Sequence, residues 1–220
     1  MVMMVRPMSS PKMVIFDLDG TINDSSPGFK YCYRKTGEHF GKYDISDEDM
    51  KHGFSGPFEE GIAKILDLRK DQVPEAVKIY VGYYQQVGQT MDRLYPGVKD
   101  TLEYLRQNGY VMGLATMMEE GFAKHTLVKN GIDGYFDTVH GASFVIPYSK
   151  YDLIGLCLTS MDISPSEAVM VGDGIDDYSS AKRAEVDFIG ATYGYDIDAD
   201  YCRLNGIRYI DSPAELKKFV

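Results

Sequence analysis

The chain has 220 residues, enough for one large domain or for one domain with a smaller insertion. Its formal net charge of −10 and its scattered Lys and Arg residues argue against a nucleic-acid duplex as partner, because neutralising phosphates requires clustered cations. Its three cysteines are widely spaced, which predicts reduced thiols rather than a disulfide framework or a zinc site. No apolar run approaches the length of a membrane span, so we expect no membrane partner and a cytoplasmic location.

The first element in chain order is an apolar run at 13–16, which predicts a buried strand. It ends in two carboxylates, Asp17 and Asp19, and Gly20 and Thr21 then turn the chain. Uncompensated buried charge is costly, so two acids at the end of a core strand indicate a cation beside them. The pattern predicts a metal-assisted catalytic site at this point.

Helical patterning dominates the next stretch, from about residue 24 to about residue 95. This stretch is too long for one crossover between neighbouring strands, and it carries little strand signal. We interpret it as a helical insertion, with residues 1–23 and 96–220 forming the core domain. The predicted helices lie at 26–35, 47–52, 58–68 and 74–89, and the connecting turns lie at 23–27 and 94–97.

Short apolar runs and helical segments alternate in the rest of the chain. The predicted strands lie at 111–115, 138–140, 168–171, 188–191 and 208–210. The predicted helices lie at 97–107, 122–129, 151–160 and 179–184. This alternation is typical of an α/β fold, here a Rossmann-like parallel sheet in a three-layer α/β/α core with right-handed crossovers.

Polar side chains stand at or near the carboxyl ends of several predicted strands. In open α/β sheets, ligands bind outside the carboxyl ends of the strands, so these residues are expected to meet at one edge. The candidate residues at this edge are Asp17, Asp19, Thr116, Lys150, Asp173 and Asp177. Three strand-end acids, a hydroxyl, a lysine and a helix-start acid therefore converge.

This combination resembles the haloacid dehalogenase-like superfamily, in its phosphatase branch with a helical cap inserted after the first motif. Residues 17–21 (Asp-Leu-Asp-Gly-Thr) match the first motif, and residues 172–177 (Gly-Asp-Gly-Ile-Asp-Asp) match the fourth. Thr116 and Lys150 stand at the second and third motifs. Residues 192–195 are similar to proteins usually labelled phosphoglycolate phosphatase-like. The resemblance implies a Mg²⁺-dependent phosphatase acting on a small phosphorylated metabolite.

The resemblance also implies a role for each matched residue. Asp17 would be the nucleophile that forms an aspartyl-phosphate, and Asp19 would serve as general acid and then as general base. Lys150 would bind phosphate and offset the charge of Asp17. Mg²⁺ would be held by the Asp17 carboxylate, the backbone carbonyl of Asp19 and the Asp173 carboxylate. Asp177 would orient a metal-bound water or Lys150.

Phosphate binding is expected from the Thr116 hydroxyl and from the backbone N–H groups of Leu18, Asp19 and Met117. The chain departs from its apparent relatives directly after this threonine. They commonly carry Ser-Lys, whereas this chain has Met117-Met118. A polar side chain is lost there, which affects the choice of substrate more than the chemistry.

A second group of candidates lies in the predicted insertion. Residues 52–58 interrupt the helices with two glycines and a proline, and they resemble the Gly-Pro cap loop of the family. We expect this loop to lean into the active site. Phe54, Ser55 and Gly56 are the candidate substrate contacts.

Two alternatives to a phosphatase stay open from the sequence. A sugar phosphomutase would use the same two acids and return the phosphoryl group to a second hydroxyl of its substrate. A non-catalytic binding protein on the same fold is the other alternative, since fold does not fix function. The complete set of motif residues argues against it. Phosphoglycolate, nucleoside monophosphates and sugar phosphates all stay open as substrates, as do a monomer and a homodimer.

Overall fold

The computed structural model describes residues 11–51, 53–54, 57–143 and 145–220. Within these residues, eight strands occur: β1 (Met13–Phe16), β2 (Asn23–Asp24), β3 (Arg93–Leu94), β4 (Val111–Glu119), β5 (Thr138–Ala142), β6 (Ala168–Gly172), β7 (Asp187–Ala191) and β8 (Arg208–Ile210). The helices are α1 (Ser26–His39), α2 (Asp47–Lys51), α3 (Phe58–Ile65), α4 (Val73–Tyr83), α5 (Gln89–Met91), α6 (Val98–Gln107), α7 (Glu120–Asn130), α8 (Lys150–Met161), α9 (Ile175–Arg183) and α10 (Ala199–Asn205). None of these helices combines the length and the apolar character that crossing a bilayer requires.

Six of the strands form one parallel sheet in the order β5-β4-β1-β6-β7-β8. β1 lies in its interior, with Met13 opposite Val111 of β4 on one side and opposite Ala168 of β6 on the other. The predicted parallel α/β sheet is therefore confirmed, including the short strand at 208–210. β1 delivers Asp17 to the carboxyl edge, and its neighbours β4 and β6 place Thr116 and Asp173 at the same edge.

Alternation along β1 explains the three layers. Val14 and Phe16 face one apolar cluster, which includes Leu102 of α6 and Leu127 of α7. Met13 and Ile15 face the other cluster, which includes Leu153 and Ile154 of α8. Because successive strand residues point to opposite faces, a fully apolar strand requires a helical layer on each side.

Two predicted boundaries in the core need correction. β4 extends to Glu119 rather than ending at residue 115, with an irregular register between Thr116 and Glu119. Such a bulge keeps the strand paired while it re-aims its side chains, and alternating patterns do not reveal it. α9 starts at Ile175 rather than at residue 179, because the Asp177 carboxylate accepts the Gly174 N–H at 3.0 Å and caps the helix directly after β6.

The helices between β2 and β3 have an apolar cluster of their own. Its buried members are Cys32, Tyr33, Met50, Ile62, Leu66, Ala76, Tyr80 and Tyr84. Short strands overlap both segments predicted as turns, since β2 covers 23–24 and β3 ends at Leu94. β2 pairs with β3 in antiparallel fashion, with Asn23 opposite Leu94. A two-residue strand has no periodicity to detect, and the partners are distant in sequence. This β2–β3 ribbon joins the helical segment to the sheet.

The predicted helix at 74–89 is not continuous. α4 gives way to a π-helical turn at Tyr84–Gly88 before α5. Gly88 lies directly against α1, where a Cβ on Gly28 would come 2.5 Å from the Gly88 carbonyl oxygen. Tyr84, in this wider helical turn, is buried, and the Tyr84 hydroxyl donates to the buried Asp92 carboxylate at 2.8 Å. Local widening of this kind is common at functional sites.

Candidate active site

The centre of the site is an ion pair between the end of β1 and the start of α8. Lys150 Nζ lies 2.6 Å from Asp17 Oδ1 and 2.8 Å from Asp177 Oδ1, and it donates to the Ala115 carbonyl oxygen at 3.1 Å. Lys150 is only 4% exposed. Ser149 caps α8 and fixes its first residue, so Lys150 reaches across the carboxyl edge from a defined position.

Burial controls the protonation of this pair. It raises the pKa of Asp17 to about 6, although the positive charge of Lys150 opposes the shift. Burial alone would lower the pKa of Lys150, but the charges of Asp17 and Asp177 outweigh it and hold the pKa above its usual value. Lys150 therefore stays protonated at neutral pH. One ammonium group serves two carboxylates, which leaves the cluster short of positive charge.

Asp19 turns away from this pair toward the β2–β3 ribbon. Its carboxylate accepts a hydrogen bond from the Ser25 hydroxyl, and Asn23 Nδ2 in turn donates to Ser25 Oγ at 2.7 Å. The Tyr195 hydroxyl accepts the Ser25 N–H at 2.8 Å, which anchors the start of α1 to the loop after β7. Burial, and then the charge of Asp17, raises the pKa of Asp19 to about 8. The protonated form of Asp19 is therefore favoured.

Asp173 is held in a tight cradle at the end of β6. Thr21 Oγ1 donates to its Oδ1 at 3.0 Å, and the Tyr195 N–H donates to its Oδ2 at 2.7 Å. A Cβ on Gly20 would come 2.1 Å from Asp173 Oδ2, and one on Gly194 would come 2.4 Å from it. Only glycine leaves room for the carboxylate at both positions. Burial raises the pKa of Asp173 well above its usual range.

A metal ion fits this arrangement. Carboxylate oxygens of Asp17, Asp173 and Asp177 lie within 4.8 Å of one another, and all three residues are buried. The charged forms of Asp17 and Asp173 are disfavoured in the protein alone, as expected where a cation normally supplies compensation. An all-oxygen donor set is the set that Mg²⁺ prefers.

The predicted phosphate-binding residues lie beside this cluster. Thr116 is 1% exposed on β4, next to β1, and its Oγ1 accepts the Met118 N–H at 3.1 Å. Leu18 is fully buried, and its carbonyl oxygen accepts the Asn23 N–H at 2.8 Å. Met117 directs its side chain outward and is 48% exposed.

Among the predicted insertion residues, Phe54 reaches the core. Its ring lies 5.3 Å, centroid to centroid, from that of Tyr195. Ser55 and Gly56 lie outside the described residues. Motif reading missed Thr21, Ser25 and Tyr195 as site residues. Thr21 belongs to the first motif and Tyr195 to the similar stretch 192–195, but neither pattern shows that the two residues contact Asp173. Ser25 lies six residues after Asp19, which was the only signal for it.

Comparison with known proteins gives concordant results. Residues 14–191 match the family described as haloacid dehalogenase-like hydrolase. A phosphoglycolate phosphatase from Vibrio parahaemolyticus is 31% identical over 220 residues, and the match covers 95% of this chain and 96% of the relative. A protein named tyrosine-protein kinase PtkA from Mycobacterium tuberculosis is 31% identical over 190 residues, which cover 86% of this chain and 65% of that protein.

A solved structure supports the same grouping. A haloacid dehalogenase-like hydrolase from Streptococcus pneumoniae superimposes with a TM-score of 0.89 at 28% identity. The match covers 96% of this chain and 99% of the other. The likeness therefore extends through the sheet and the helical segment between β1 and β4.

Proposed function

The chain belongs to the haloacid dehalogenase-like hydrolases, and from this premise we propose that it is a Mg²⁺-dependent phosphatase of a small-metabolite phosphate monoester. The observation that carries the proposal is the contact of Asp17 with Lys150, at 2.6 Å, inside a buried cluster of acids. A carboxylate held beside a permanent cation is a competent nucleophile toward phosphorus, because the cation also attracts the phosphate dianion.

The reaction proceeds in two steps at Asp17. Its carboxylate oxygen forms a bond to phosphorus while the bond from phosphorus to the leaving oxygen breaks, and Asp19 gives that oxygen a proton. Asp19 then removes a proton from water, whose oxygen bonds to phosphorus as the Asp17–phosphorus bond breaks. Free phosphate and an alcohol are the products. Ser25 keeps the Asp19 carboxylate in a fixed orientation.

The remaining predicted residues orient the phosphoryl group. Thr116, Lys150 and the N–H groups of Leu18 and Met117 are its proposed donors. The Asp17 carboxylate, the Asp19 carbonyl and the Asp173 carboxylate are the proposed ligands of Mg²⁺, whose charge offsets those of the nucleophile and the phosphate. Asp177 orients Lys150, which it contacts at 2.8 Å.

We also propose that residues 24–95 act as a cap domain over a core of residues 1–23 and 96–220. The separate apolar cluster of α1–α5 and the two-strand β2–β3 ribbon support this division. Two narrow strands are a suitable hinge, because few contacts have to change when the helices move. Closure excludes water from the reaction.

The direct test measures inorganic phosphate released from a panel of phosphate monoesters, with Mg²⁺ and with a chelator. We expect hydrolysis that requires the metal. Product analysis separates this from a mutase, which would return an isomerised sugar phosphate instead of free phosphate. Folded protein that releases no phosphate from any ester in the presence of Mg²⁺ would contradict the proposal.

Gly194→Ala tests the assignment of Asp173 to the metal. The added methyl would stand 2.4 Å from Asp173 Oδ2, so the carboxylate has to move. We expect the Mg²⁺ concentration for half-maximal activity to rise about 10-fold. Gly134→Ala is the matched control, because nothing lies within 4 Å of its added Cβ. An unchanged metal requirement in Gly194→Ala would remove Asp173 from the ligand set.

A further inference from the structure

The carboxyl edge of the sheet is poor in positive charge. Five described segments lie at or leave the ends of β1, β4, β5, β6 and β7. They are residues 17–22, 116–119, 143 with 145–149, 173–174 and 192–198. None of them contains a Lys or an Arg. Lys150, which directly follows the third segment, is already paired with two carboxylates. These five segments therefore offer a substrate no cation, and Lys150 is the one that its phosphoryl group requires.

The helical segment does not make up for this deficit among its described side chains. Its Lys64, Lys70 and Lys78 are exposed. Its other described cations pair with acids of the same segment: Lys30 and Arg34 with Asp47, Lys35 with Glu38, Lys42 with Asp67, Arg69 with Asp71, and Arg93 with Asp24. Within the described residues, a second anionic group on a substrate would thus find no buried cation that is free to pair with it.

Aromatic rings lie beside the acid cluster, since the Tyr195 N–H donates to Asp173 Oδ2 at 2.7 Å. A continuous series of ring contacts runs from Tyr195 to Phe54, Phe29, Tyr84 and Phe122, with centroid distances of 5.3, 5.6, 5.7 and 5.9 Å. Tyr195 follows β7 and Phe122 lies on α7 after β4. Because β1 lies between β4 and β7 in the sheet, this aromatic arc spans the end of the strand that carries the nucleophile.

The rim of the same edge is apolar as well. Met117 after Thr116 is 48% exposed, and Ile175 at the start of α9 is 45% exposed. Val145 and Ile146, in the segment before Lys150, are 89% and 48% exposed. Exposed apolar side chains grouped around a site usually mark the surface on which a ligand rests.

From these observations we propose that the substrate is the phosphate monoester of an uncharged alcohol with an aromatic or other apolar body, and not one with a second anionic group. This inference rests on the proposed phosphatase function. The apolar body of the leaving group packs against the aromatic arc. A carboxylate in the same place loses its hydration without gaining a cation from the described side chains.

The test compares two esters that differ in one group, benzyl phosphate and 4-carboxybenzyl phosphate, with methyl phosphate as a small reference ester. We expect kcat/KM for benzyl phosphate to be at least about 10-fold higher than kcat/KM for 4-carboxybenzyl phosphate. Phe54→Ala should raise KM for benzyl phosphate about 2- to 10-fold relative to KM for methyl phosphate, since an aromatic contact is lost. Met117→Lys supplies a cation at the rim, so it should reduce the ratio of kcat/KM for benzyl phosphate to kcat/KM for 4-carboxybenzyl phosphate. Leu204→Lys is the control: it adds the same charge on α10, at a position 86% exposed, and should leave this ratio unchanged.

The outcomes distinguish the two proposals. Equal or faster hydrolysis of 4-carboxybenzyl phosphate, dependent on Asp17, would overturn the substrate class and leave the phosphatase function standing. An equal change of KM for benzyl phosphate and methyl phosphate in Phe54→Ala would have the same meaning. Release of no phosphate from any of the three esters, or release that persists in Asp17→Asn, would overturn the phosphatase function and this inference with it.

Discussion

Asp17→Asn is expected to lower the rate of phosphate release by at least about 10⁴-fold, because removal of a covalent nucleophile leaves only substrate binding and electrostatics to act. An amide oxygen is a poor nucleophile toward phosphorus, although its shape matches the carboxylate. KM should change much less than kcat, since Lys150 and Thr116 stay in place. Steady-state release of phosphate from the best ester of the panel measures both quantities.

The fold should survive this substitution. Burial already disfavours the charged form of Asp17, and Lys150 keeps its contact with Asp177. Asp176→Asn is the matched control: it makes the same chemical change one residue from Asp177, on an exposed side chain. Thermal unfolding should be cooperative for both variants. Activity of Asp17→Asn within 10-fold of the wild type would exclude Asp17 as the nucleophile.

The parts of the site that were predictable come from rules that need no knowledge of distant contacts. Asp17 and Asp19 are separated by one residue in the sequence, at the end of an apolar run. The rule that strand ends share an edge then brings in Lys150, which contacts Asp17 although 133 positions separate them. This prediction was possible because parallel topology places the carboxyl ends of the strands at one edge, whatever the side-chain contacts are.

The parts that were not predictable depend on tertiary contacts without a local pattern. The β2–β3 ribbon exists because Asn23 meets Leu94, and neither segment is long enough to show strand periodicity. Tyr195 serves both Asp173 and Ser25, and only the packed structure identifies that double role. The irregular register of β4 after Thr116 is likewise set by pairing with β5. Each is a case in which tertiary structure overrides local signal.

The same contacts suggest why the site and the helical segment act together. Ser25 opens α1, yet its hydroxyl holds Asp19 and its N–H is held by Tyr195. Phe54 packs on the same tyrosine. A movement of the helices about the β2–β3 ribbon would therefore change the orientation of Asp19. Closure over a substrate and alignment of the proposed acid are thus expected to be coupled.

Lys150→Met is expected to destabilise the metal-free protein by about 3–5 kcal/mol at pH 8, because it leaves two buried carboxylates without their cation. The loss should depend on pH. Burial already raises the folded-state pKa of Asp17 to about 6, so this group favours folding below pH 4 and loses that contribution as the pH rises through 6. Removing Lys150 raises this pKa further, so ionisation of Asp17 costs more in the variant. The difference from wild type should therefore be smallest at pH 5 and largest at pH 8.

Urea unfolding in the presence of a chelator, at pH 5 and at pH 8, measures this difference. Lys124→Met is the matched control, since Lys124 pairs with Glu120 at 2.6 Å on the surface and should cost within about 0.5 kcal/mol at either pH. Phosphate release by Lys150→Met should also fall about 10²- to 10³-fold with Mg²⁺ present. Equal destabilisation of Lys150→Met at the two pH values would mean that lost packing of the lysine stem, rather than uncompensated charge, explains the effect. That result would contradict the claim that Lys150 stabilises the site by compensating the charges of Asp17 and Asp177.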